Sequence, residues 1–409
     1  MLSFGMYLCL FLALYFEVFL LITFLEKRPR VHTATHSQSE YPTVCIFVPC
    51  WNEEKTIAGT LESLIALNYP QEKLSILVVD DGSTDTTALI AKAFASKHPQ
   101  IKYLYKKNGG KFTALNIGIA HTQSELVACL DADSFVSKDS LREMVHALQK
   151  DPSIMAAAPV VSVHQPRTAL ELMQSVEYTL GNFYKKMFDN LSAIMVLPGP
   201  LPVYRREIFS RVGPFRHAHN TEDLEMTLRM HAHGLKIVNV HNAAVYTTVP
   251  TTLRKLIKQR ARWSKGFLKN ALDYSFMFFN PRFGNFGMLV LPSAIIFFAA
   301  ALYLAGYALY TVIASLAQRF YDLWITGIPL HFPHFRWNWL DLHFSMMLFL
   351  VVASCVLLVT MMILGQRIAG NTLSSKSYLS YFALFSFVAP IWLARAAVST
   401  LLARDSNWR

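Results

Sequence analysis

The chain has 409 residues, of which 53% are hydrophobic and only 16% are charged, a balance too apolar for a wholly soluble protein. Its 38 Lys and Arg residues against 27 Asp and Glu give a net charge of +11, which is typical of a protein that lies on an anionic membrane surface or handles phosphates. Nucleic-acid binding is disfavoured, because the aromatic residues concentrate in the apolar stretches and do not interleave with the basic ones.

The N-terminal stretch predicts a membrane helix over residues 1–26. Leu2 to Leu25 is apolar except for Glu17, and it is long enough to cross a hydrocarbon core of ~30 Å. No Lys or Arg precedes it, whereas a basic cluster follows at residues 27–30, which argues against a cleaved signal peptide. By the positive-inside rule, the domain that follows lies in the cytoplasm.

Residues 41–250 alternate between short apolar runs and amphipathic, helix-like segments, a pattern typical of an α/β domain. Strands are predicted at Thr43 to Val48, Leu74 to Val79 and Leu126 to Leu130. Polar residues begin where each of these runs ends. In open α/β sheets the chemistry collects at the carboxyl ends of the strands, so these polar segments are the candidate site.

The first two strands are followed by acidic turns. Asn52 and Glu53 come after the first strand, and Asp80-Asp81-Gly82-Ser83 comes after the second. Carboxylates on such turns can accept hydrogen bonds from a base or a ribose. A plain turn, with Ser83 or Asp85 capping the next helix, is an equally good interpretation.

The third strand ends in Asp131-Ala132-Asp133. Two carboxylates at positions i and i+2 can hold one hard cation that also binds phosphate oxygens, such as Mg²⁺ or Mn²⁺. Such a cation would neutralise a leaving diphosphate. A pair of acids with this spacing is also frequent by chance, so the motif alone has low specificity.

Thr221-Glu222-Asp223 precedes a helix-like run. Asp223 is a candidate general base for an acceptor hydroxyl. The alternative is structural, with Thr221 as the helix N-cap and the two acids in the first turn, and both interpretations can hold together.

Residues 251–282 are predicted to form amphipathic helices at the membrane surface. Leu253 to Leu272 mixes seven basic residues with apolar ones and contains the pattern Gln259, Arg262 and Trp263. Trp263 could stack on a sugar and Arg262 could meet a diphosphate. For this motif alone, an ordinary surface helix is the favoured alternative.

Three further membrane helices are predicted in residues 283–403. Charge is absent between Arg282 and Arg319 and between Asp341 and Arg367, and from Ser377 to residue 403 it is confined to Arg395. Four membrane spans would return the C-terminus to the outside.

Taken together and in this order, the motifs resemble those of the inverting family 2 glycosyltransferases with a GT-A fold. Within that family they are most similar to the processive membrane synthases of cellulose, chitin, hyaluronan and poly-N-acetylglucosamine. The resemblance runs from about Tyr41 to Trp263. It implies an α/β GT-A-type glycosyltransferase domain joined to an α-helical transmembrane domain.

The resemblance also implies roles for individual residues. The uridine of the donor would contact Asn52, Glu53, Asp80 and Asp81, and the segment Asn108-Gly109-Gly110-Lys111 would place Lys111 at the donor phosphates. Asp131 would touch the nucleotide, Asp133 would bind the metal, and Asp223 would act as the base with Glu222 in the substrate site. Gln259, Arg262 and Trp263 would shape the acceptor and pyrophosphate site, and the loop Pro198-Gly199-Pro200-Leu201 would lie near the acceptor sugar.

The implied activity is inverting, metal-dependent transfer from a UDP-sugar, with UDP-N-acetylglucosamine as the predicted donor. The product would be an extracellular polysaccharide that the protein also translocates; the alternative is transfer of one sugar to a lipid or glycolipid. A cellulose product is disfavoured, because no FxVTxK segment follows Trp263 and no cyclic-dinucleotide domain fits before Arg409. Membrane lipid and a small membrane subunit are the other candidate partners, and no nucleic acid is expected.

Overall fold

The structure is a computed structural model and describes residues 2–26, 40–327 and 346–402. Within these ranges the chain forms eight strands and twelve α-helices. The strands are β1 (Val44–Cys50), β2 (Leu74–Asp80), β3 (Ile101–Tyr105), β4 (Leu126–Cys129), β5 (Ser134–Val136), β6 (Ile154–Val163), β7 (Val203–Arg205) and β8 (Lys236–Thr247). The helices are α1 (Leu2–Glu26), α2 (Ile57–Ile65), α3 (Thr87–Lys97), α4 (Lys111–Ala120), α5 (Ser140–Lys150), α6 (Ala169–Asn190), α7 (Ile208–Val212), α8 (Glu222–Ala232), α9 (Leu253–Asp273), α10 (Leu291–Thr326), α11 (Met346–Ala369) and α12 (Ser375–Leu401).

The eight strands form one mixed sheet in the order β3-β2-β1-β4-β7-β6-β8-β5. β1, β2, β3 and β4 are parallel, whereas β7 runs antiparallel to both β4 and β6. All seven residues of β1 are buried or half-buried, which is the pattern of a parallel strand covered on both faces. The three predicted strands correspond to β1, β2 and β4, with ends that differ by one or two residues.

Each face of the sheet carries its own apolar core. One core packs α2 and α5 against alternate residues of β1 and β2, such as Ile46 and Ile76. In α5, Leu141, Met144, Val145 and Leu148 are buried at the spacing that places them on one helical face. The opposite core contains the intervening strand residues together with α4 and α8. Alternation along each strand thus fixes the sheet between two helical layers.

Among the described residues, four helices are long and apolar enough to cross a membrane: Phe4–Glu26, Phe286–Thr326, Met346–Ala369 and Ser375–Leu401. They overlap the four stretches that the sequence predicts as spans, although the second helix continues past Arg319. The basic cluster at residues 27–30, the predicted beginning of a span after Asp341 and the predicted end at residue 403 lie outside the described residues.

The chain divides into two compact units. One comprises Met1–Glu26 with Ala294–Met361, so that it contains α1, most of α10 and most of α11. Inside it, the rings of Phe16 and Phe297 lie 4.8 Å apart. The other unit comprises Lys27–Ser293 with Met362–Arg409 and contains the whole sheet.

The last apolar helix belongs to the unit that contains the sheet. α12 packs against α6 and α9, and it buries Tyr381, Trp392 and Ala396. The loop before it is also anchored there, because Asn371 Nδ2 donates to Thr179 Oγ1 of α6 at 3.3 Å. α12, which the sequence predicts as the last of three transmembrane helices in residues 283–403, thus belongs to the sheet-bearing unit.

Candidate active site

The candidate site lies at the carboxyl-terminal edge of the parallel strands. β1 pairs in register with β2 and with β4, so that Cys50 lies opposite Asp80 and Phe47 lies opposite Cys129. The segments after these strands therefore emerge along one edge of the sheet. Helices α4 and α8 also begin with predicted site residues, Lys111 and Glu222.

Asp80 and Asp81 are almost completely buried, with exposed fractions of 0% and 2%. Asp80 accepts hydrogen bonds from the backbone N–H of Ser83 at 2.8 Å and from the hydroxyl of Tyr103 at 2.7 Å. These bonds hold the tight turn at Gly82, whose φ of +80° suits glycine.

Asp81 holds the next loop along the edge. Its carboxylate accepts the backbone N–H groups of Gly109 and Gly110, each at 2.9 Å, and forms an ion pair with Lys106. Gly110 has a φ of +91°, a conformation that non-glycine residues rarely adopt. Asp81 therefore shapes the loop that leads to Lys111.

Asn52 joins the end of β1 to the acidic turn after β2. Its Oδ1 accepts from Thr84 N at 2.8 Å, and its own N–H donates to Ser83 Oγ at 3.0 Å. The structural alternative for this turn, a side chain that caps α3, is not met by Asp85, because Thr86 is the N-cap residue and Asp85 Oδ1 only closes a local turn by accepting from Thr87 N at 3.0 Å. It is also wrong for Ser83, which pairs with Asn52 and does not cap the helix.

Lys111 connects the two acidic motifs that are far apart in the sequence. Its Nζ forms an ion pair with Asp131 and lies 3.6 Å from Glu222 Oε1. Burial alone would lower the pKa of Lys111, but the charges of Asp131 and Glu222 raise it above its ordinary value. The lysine therefore carries a positive charge between the end of β4 and the start of α8.

Gly199 packs directly against this ion pair. A Cβ atom at Gly199 would lie 2.5 Å from Asp131 Oδ2 and 2.8 Å from Lys111 Nζ, which are distances that real Cβ contacts do not show. The carbonyl of Gly199 also accepts from Cys129 Sγ at 3.3 Å. The proline-flanked loop thus approaches the Lys111–Asp131 pair as closely as a glycine permits.

Negative charge is concentrated around Lys111. Burial, with the charges of Asp131 and Glu53, raises the pKa of Asp133 to about 7. Burial and Glu222 raise the pKa of Asp223 to about 6, although Lys111 opposes that shift. These carboxylates lie in an environment that an additional cation would stabilise.

The donor set fits a cation that also binds a substrate. Within residues 2–26, 40–327 and 346–402, no three His, Cys, Asp or Glu side chains form a metal-binding group. Asp131 and Asp133 would therefore need further oxygen ligands from phosphate or water, which is how Mg²⁺ is usually bound. Burial and the nearby charges of Asp131 and Glu53 raise the pKa of Asp133, so a bound cation would stabilise its ionised form.

Asp223 is the second residue of α8, and its Oδ1 accepts from Leu224 N at 2.8 Å. Thr221 occupies the N-cap position, but its hydroxyl donates to Ala218 O at 3.0 Å and makes no capping hydrogen bond. Thr221 therefore takes the predicted N-cap position, with Glu222 and Asp223 in the first turn, although its side chain does not cap the helix.

Three consecutive residues before this motif have left-handed backbones. Ala218, His219 and Asn220 have φ values of 47°, 56° and 64°, each of which costs free energy for a non-glycine residue. Contacts from α9 hold the segment: Arg262 Nη1 donates to Asn220 O at 2.8 Å, and Asn270 Nδ2 donates to Ala218 O at 3.1 Å.

The structure brings some predicted site residues into contact and leaves others apart. Lys111, Asp131 and Glu222 touch, and Glu53, Asp133 and Asp223 act electrostatically within the same cluster. Asp80, Asp81 and Asn52 form the neighbouring loops. Gln259, Arg262 and Trp263 lie on α9, and Arg262 is tied to the loop before Asp223.

Several residues that organise this region are missed by the sequence analysis. Lys106 forms an ion pair with Asp81, and Glu177 of α6 forms one with Arg260 of α9. Arg260 lies inside the recognised pattern and could have been considered. Glu177 carries no sequence signal, since its partner comes from a distant helix.

A family model described as "Glycosyltransferase like family 2" matches residues 42–266, which is more than half of the chain. The chain belongs to this family. The predicted resemblance and the assignment as a family 2 glycosyltransferase are therefore confirmed.

Two curated relatives of this family 2 chain illustrate its range. It is 32% identical over 260 residues to a beta-monoglucosyldiacylglycerol synthase of Synechocystis sp., covering 61% of this chain and 53% of the relative. It is 30% identical over 243 residues to a poly-beta-1,6-N-acetyl-D-glucosamine synthase of Staphylococcus aureus, covering 59% of this chain and 57% of the relative. The chain thus spans little more than half the length of these two relatives.

The fold of the family 2 chain also matches a solved structure. The mannosyltransferase PcManGT from Pyrobaculum calidifontis, in complex with GDP-Man and Mn2+, superposes with a TM-score of 0.66 at 20% identity. The match covers 98% of this chain and 97% of that one. At this identity the likeness shows the fold, and it confirms the predicted GT-A-type α/β architecture with apolar helices.

Proposed function

We propose that this family 2 glycosyltransferase transfers a sugar, with inversion, from a UDP-sugar to a hydroxyl group of a membrane-associated acceptor. The observation that supports this most is the charged cluster in which Lys111 lies between Asp131 and Glu222, next to Asp133 and Asp223. A positive charge beside several incompletely neutralised carboxylates suits a diphosphate with its cation on one side and a base on the other.

In this mechanism Asp223 accepts the proton of the acceptor hydroxyl while that oxygen attacks the anomeric carbon. The bond from the anomeric carbon to the diphosphate oxygen breaks as the new bond forms, so one displacement inverts the configuration. Burial raises the pKa of Asp223 to about 6, which makes it a stronger base than an exposed aspartate and still ionised at neutral pH.

The diphosphate would lie beside Lys111, whose positive charge opposes the charge that develops on the leaving group. Asp131 and Asp133 would hold Mg²⁺ or Mn²⁺ in this site. When bound, the cation would act as a Lewis acid on the diphosphate oxygens. The uridine would lie along the loops that Asn52, Asp80 and Asp81 shape, with Glu53 at the border between these loops and the charged cluster.

For the product, we propose a polymer built from UDP-N-acetylglucosamine. The similarity to the staphylococcal poly-N-acetylglucosamine synthase supports this choice. Gln259, Arg262 and Trp263 would bind the acceptor end, since Trp263 is 37% exposed and Arg262 contacts the loop before Asp223. The four apolar helices would hold the domain at the cytoplasmic face of the cell membrane and take part in export.

A second candidate function is transfer of one sugar to a lipid or glycolipid. The similarity to the monoglucosyldiacylglycerol synthase favours it to a comparable degree, because identity and coverage are close to those of the polymer synthase. Both candidates use the same donor site, so they differ in what happens to the product after one transfer.

The experiment that tests the proposal is incubation of the full-length protein in membranes with a panel of radiolabelled UDP- and GDP-sugars. We expect release of nucleoside diphosphate from a UDP-sugar, its loss in EDTA and its recovery with Mn²⁺ or Mg²⁺. Sizing of the labelled product then separates the two candidates, because a ladder or high polymer supports synthesis of a glycan and one sugar per lipid supports the second function. Full activity in chelator would contradict the metal role of Asp133.

A further inference from the structure

Arg260 is a buried arginine for which the proposed reaction has no role. It follows Gln259 in α9 and is 4% exposed. A buried guanidinium is tolerated when its charge and its N–H groups are matched. Glu177 of α6 supplies the opposite charge: Arg260 Nη2 donates to Glu177 Oε2 at 3.0 Å, and Arg260 Nε lies 3.0 Å from Glu177 Oε1.

The same guanidinium contacts two residues of the predicted acceptor site. Its central carbon lies 4.2 Å from the centre of the Trp263 ring, and its Nη1 donates to Gln259 Oε1 at 2.9 Å. The hydrogen bonds of Nη2 to Glu177 and of Nη1 to Gln259 give the planar guanidinium a defined orientation, so it can fix the side chains that pack on it. Trp263 nevertheless remains 37% exposed.

Tyr178 connects this group to the charged cluster at the end of β4. Its ring centre lies 5.7 Å from the guanidinium carbon of Arg260. Burial raises the pKa of the Tyr178 phenol; Arg260 opposes the shift, and the charges of Glu177 and Asp133 add to it.

We propose that Arg260, held by Glu177, is a positioning residue that fixes the Trp263 indole and the Gln259 amide for the sugar ring at the reacting end of the acceptor. The proposal rests on the proposed function. The guanidinium lies against the indole, and the exposed part of the ring remains available to the apolar C–H face of a pyranose. Without this support, Trp263 would retain the rotamer freedom of an exposed side chain, and acceptor binding would have to order it.

The role of Arg260 differs from that of Arg262 in the same helix. Arg262 donates to the backbone at Asn220 and so acts on the loop before Asp223. Arg260 instead contacts side chains of α6 and α9, namely those of Glu177, Gln259 and Trp263. Loss of the Glu177 charge should therefore disturb the acceptor end and leave the donor loops intact.

The test is Glu177→Gln in the full-length protein, which keeps the size of the side chain and removes the counter-charge of Arg260. We expect the KM for the acceptor to rise about tenfold, in line with the strength of a desolvated cation–π contact. The KM for the UDP-sugar and its slow hydrolysis without acceptor should remain unchanged. Arg260→Lys, which keeps the charge but loses the planar fork, should change the acceptor KM in the same direction.

Asn182→Ala is the matched control. Asn182 is a buried residue of the same helix, but its side chain bonds the backbone of Val161 in β6, with Nδ2 donating to the carbonyl at 2.8 Å. This variant should lower thermal stability without separating the two KM values. If Glu177→Gln changes both KM values equally, as a general structural defect would, the positioning role is overturned.

A double-mutant cycle gives a second readout. In a Trp263→Ala background, Glu177→Gln should cause a smaller rise in acceptor KM than in the wild type, because one of the two side chains through which it acts is absent. Additive effects would contradict the proposal. If the wild-type protein releases no nucleoside diphosphate from any sugar nucleotide, the proposed function itself fails. If the enzyme is active but Glu177→Gln does not change its kinetics, only the positioning role fails.

Discussion

The acids that follow β2 and those that follow β4 emerge at the same edge of one sheet, yet their surroundings differ. Asp80 and Asp81 are buried among backbone N–H groups, a phenol and Lys106. Their carboxylate oxygens are therefore already engaged in hydrogen bonds and an ion pair. Asp131 and Asp133 lie near other carboxylates and share Lys111. The first pair builds loops, whereas the second holds charge that a ligand can neutralise. Position after a strand therefore does not define the role of an acid; its partners do.

The largest expected effect is on sugar transfer, and it concerns the charged cluster around Lys111. Asp223→Asn removes the proposed base and should lower sugar transfer by about 10²- to 10⁴-fold, the usual contribution of general base catalysis. Binding of the UDP-sugar should persist, because the base acts on the acceptor. Transfer rates and calorimetric titration with UDP would measure the two effects. Turnover equal to that of the wild type would refute the role of Asp223.

The second prediction compares the two acid pairs by stability. Asp81→Asn leaves Lys106 without its counter-charge and should reduce the free energy of unfolding by about 3 kcal/mol. Asp133→Asn should have the opposite effect on the free energy of unfolding when it is measured in chelator at pH 8. The native pKa of Asp133 is raised to about 7, so at pH 8 its ionised form is disfavoured in the fold relative to the unfolded chain, and removal of the charge should increase the free energy of unfolding.

Thermal unfolding of both variants in the same detergent would measure these changes. Tyr69→Phe is a suitable control for the loss of one hydrogen bond on the same domain, since the Tyr69 hydroxyl donates to Pro42 O at 2.6 Å. Equal destabilisation by Asp81→Asn and Asp133→Asn would show that the two pairs do not differ in the way described.

The smallest expected effect concerns pH. The native pKa of Asp223 is raised to about 6, so the ionised base is the main form above pH 6 and is lost as the pH falls below that value. Transfer measured at saturating donor and metal should fall about tenfold per pH unit below 6. An acidic limb near pH 4, as for an exposed aspartate, would indicate that the burial of Asp223 does not persist in the complex.

The sequence predicted the parts of the fold that depend on local pattern. The buried residues of β1, β2 and β4 are consecutive in the sequence, and the apolar stretches of the four long helices carry few charges. Both features could therefore be predicted from the sequence alone. The order of the acidic turns along the sheet followed from the parallel arrangement of these strands.

Contacts between distant segments were not predictable in this way. Nothing near Asp81 in the sequence indicates Lys106 as its partner, and nothing in α6 marks Glu177 as the partner of Arg260. The left-handed backbone at Ala218, His219 and Asn220 was also missed, because none of them is a glycine. Tertiary contacts stabilise that conformation, and a single sequence contains no record of them.

The packing of α12 has a practical consequence for work with the isolated enzyme. α12, in which Tyr381, Trp392 and Ala396 are buried, covers parts of α6 and α9, the helices that carry Glu177 and Arg260. A recombinant fragment that stops after α9 would uncover this apolar surface and expose it to water. Soluble expression of the sheet domain would therefore call for a tethered α12 or for polar substitutions on the uncovered faces of α6 and α9.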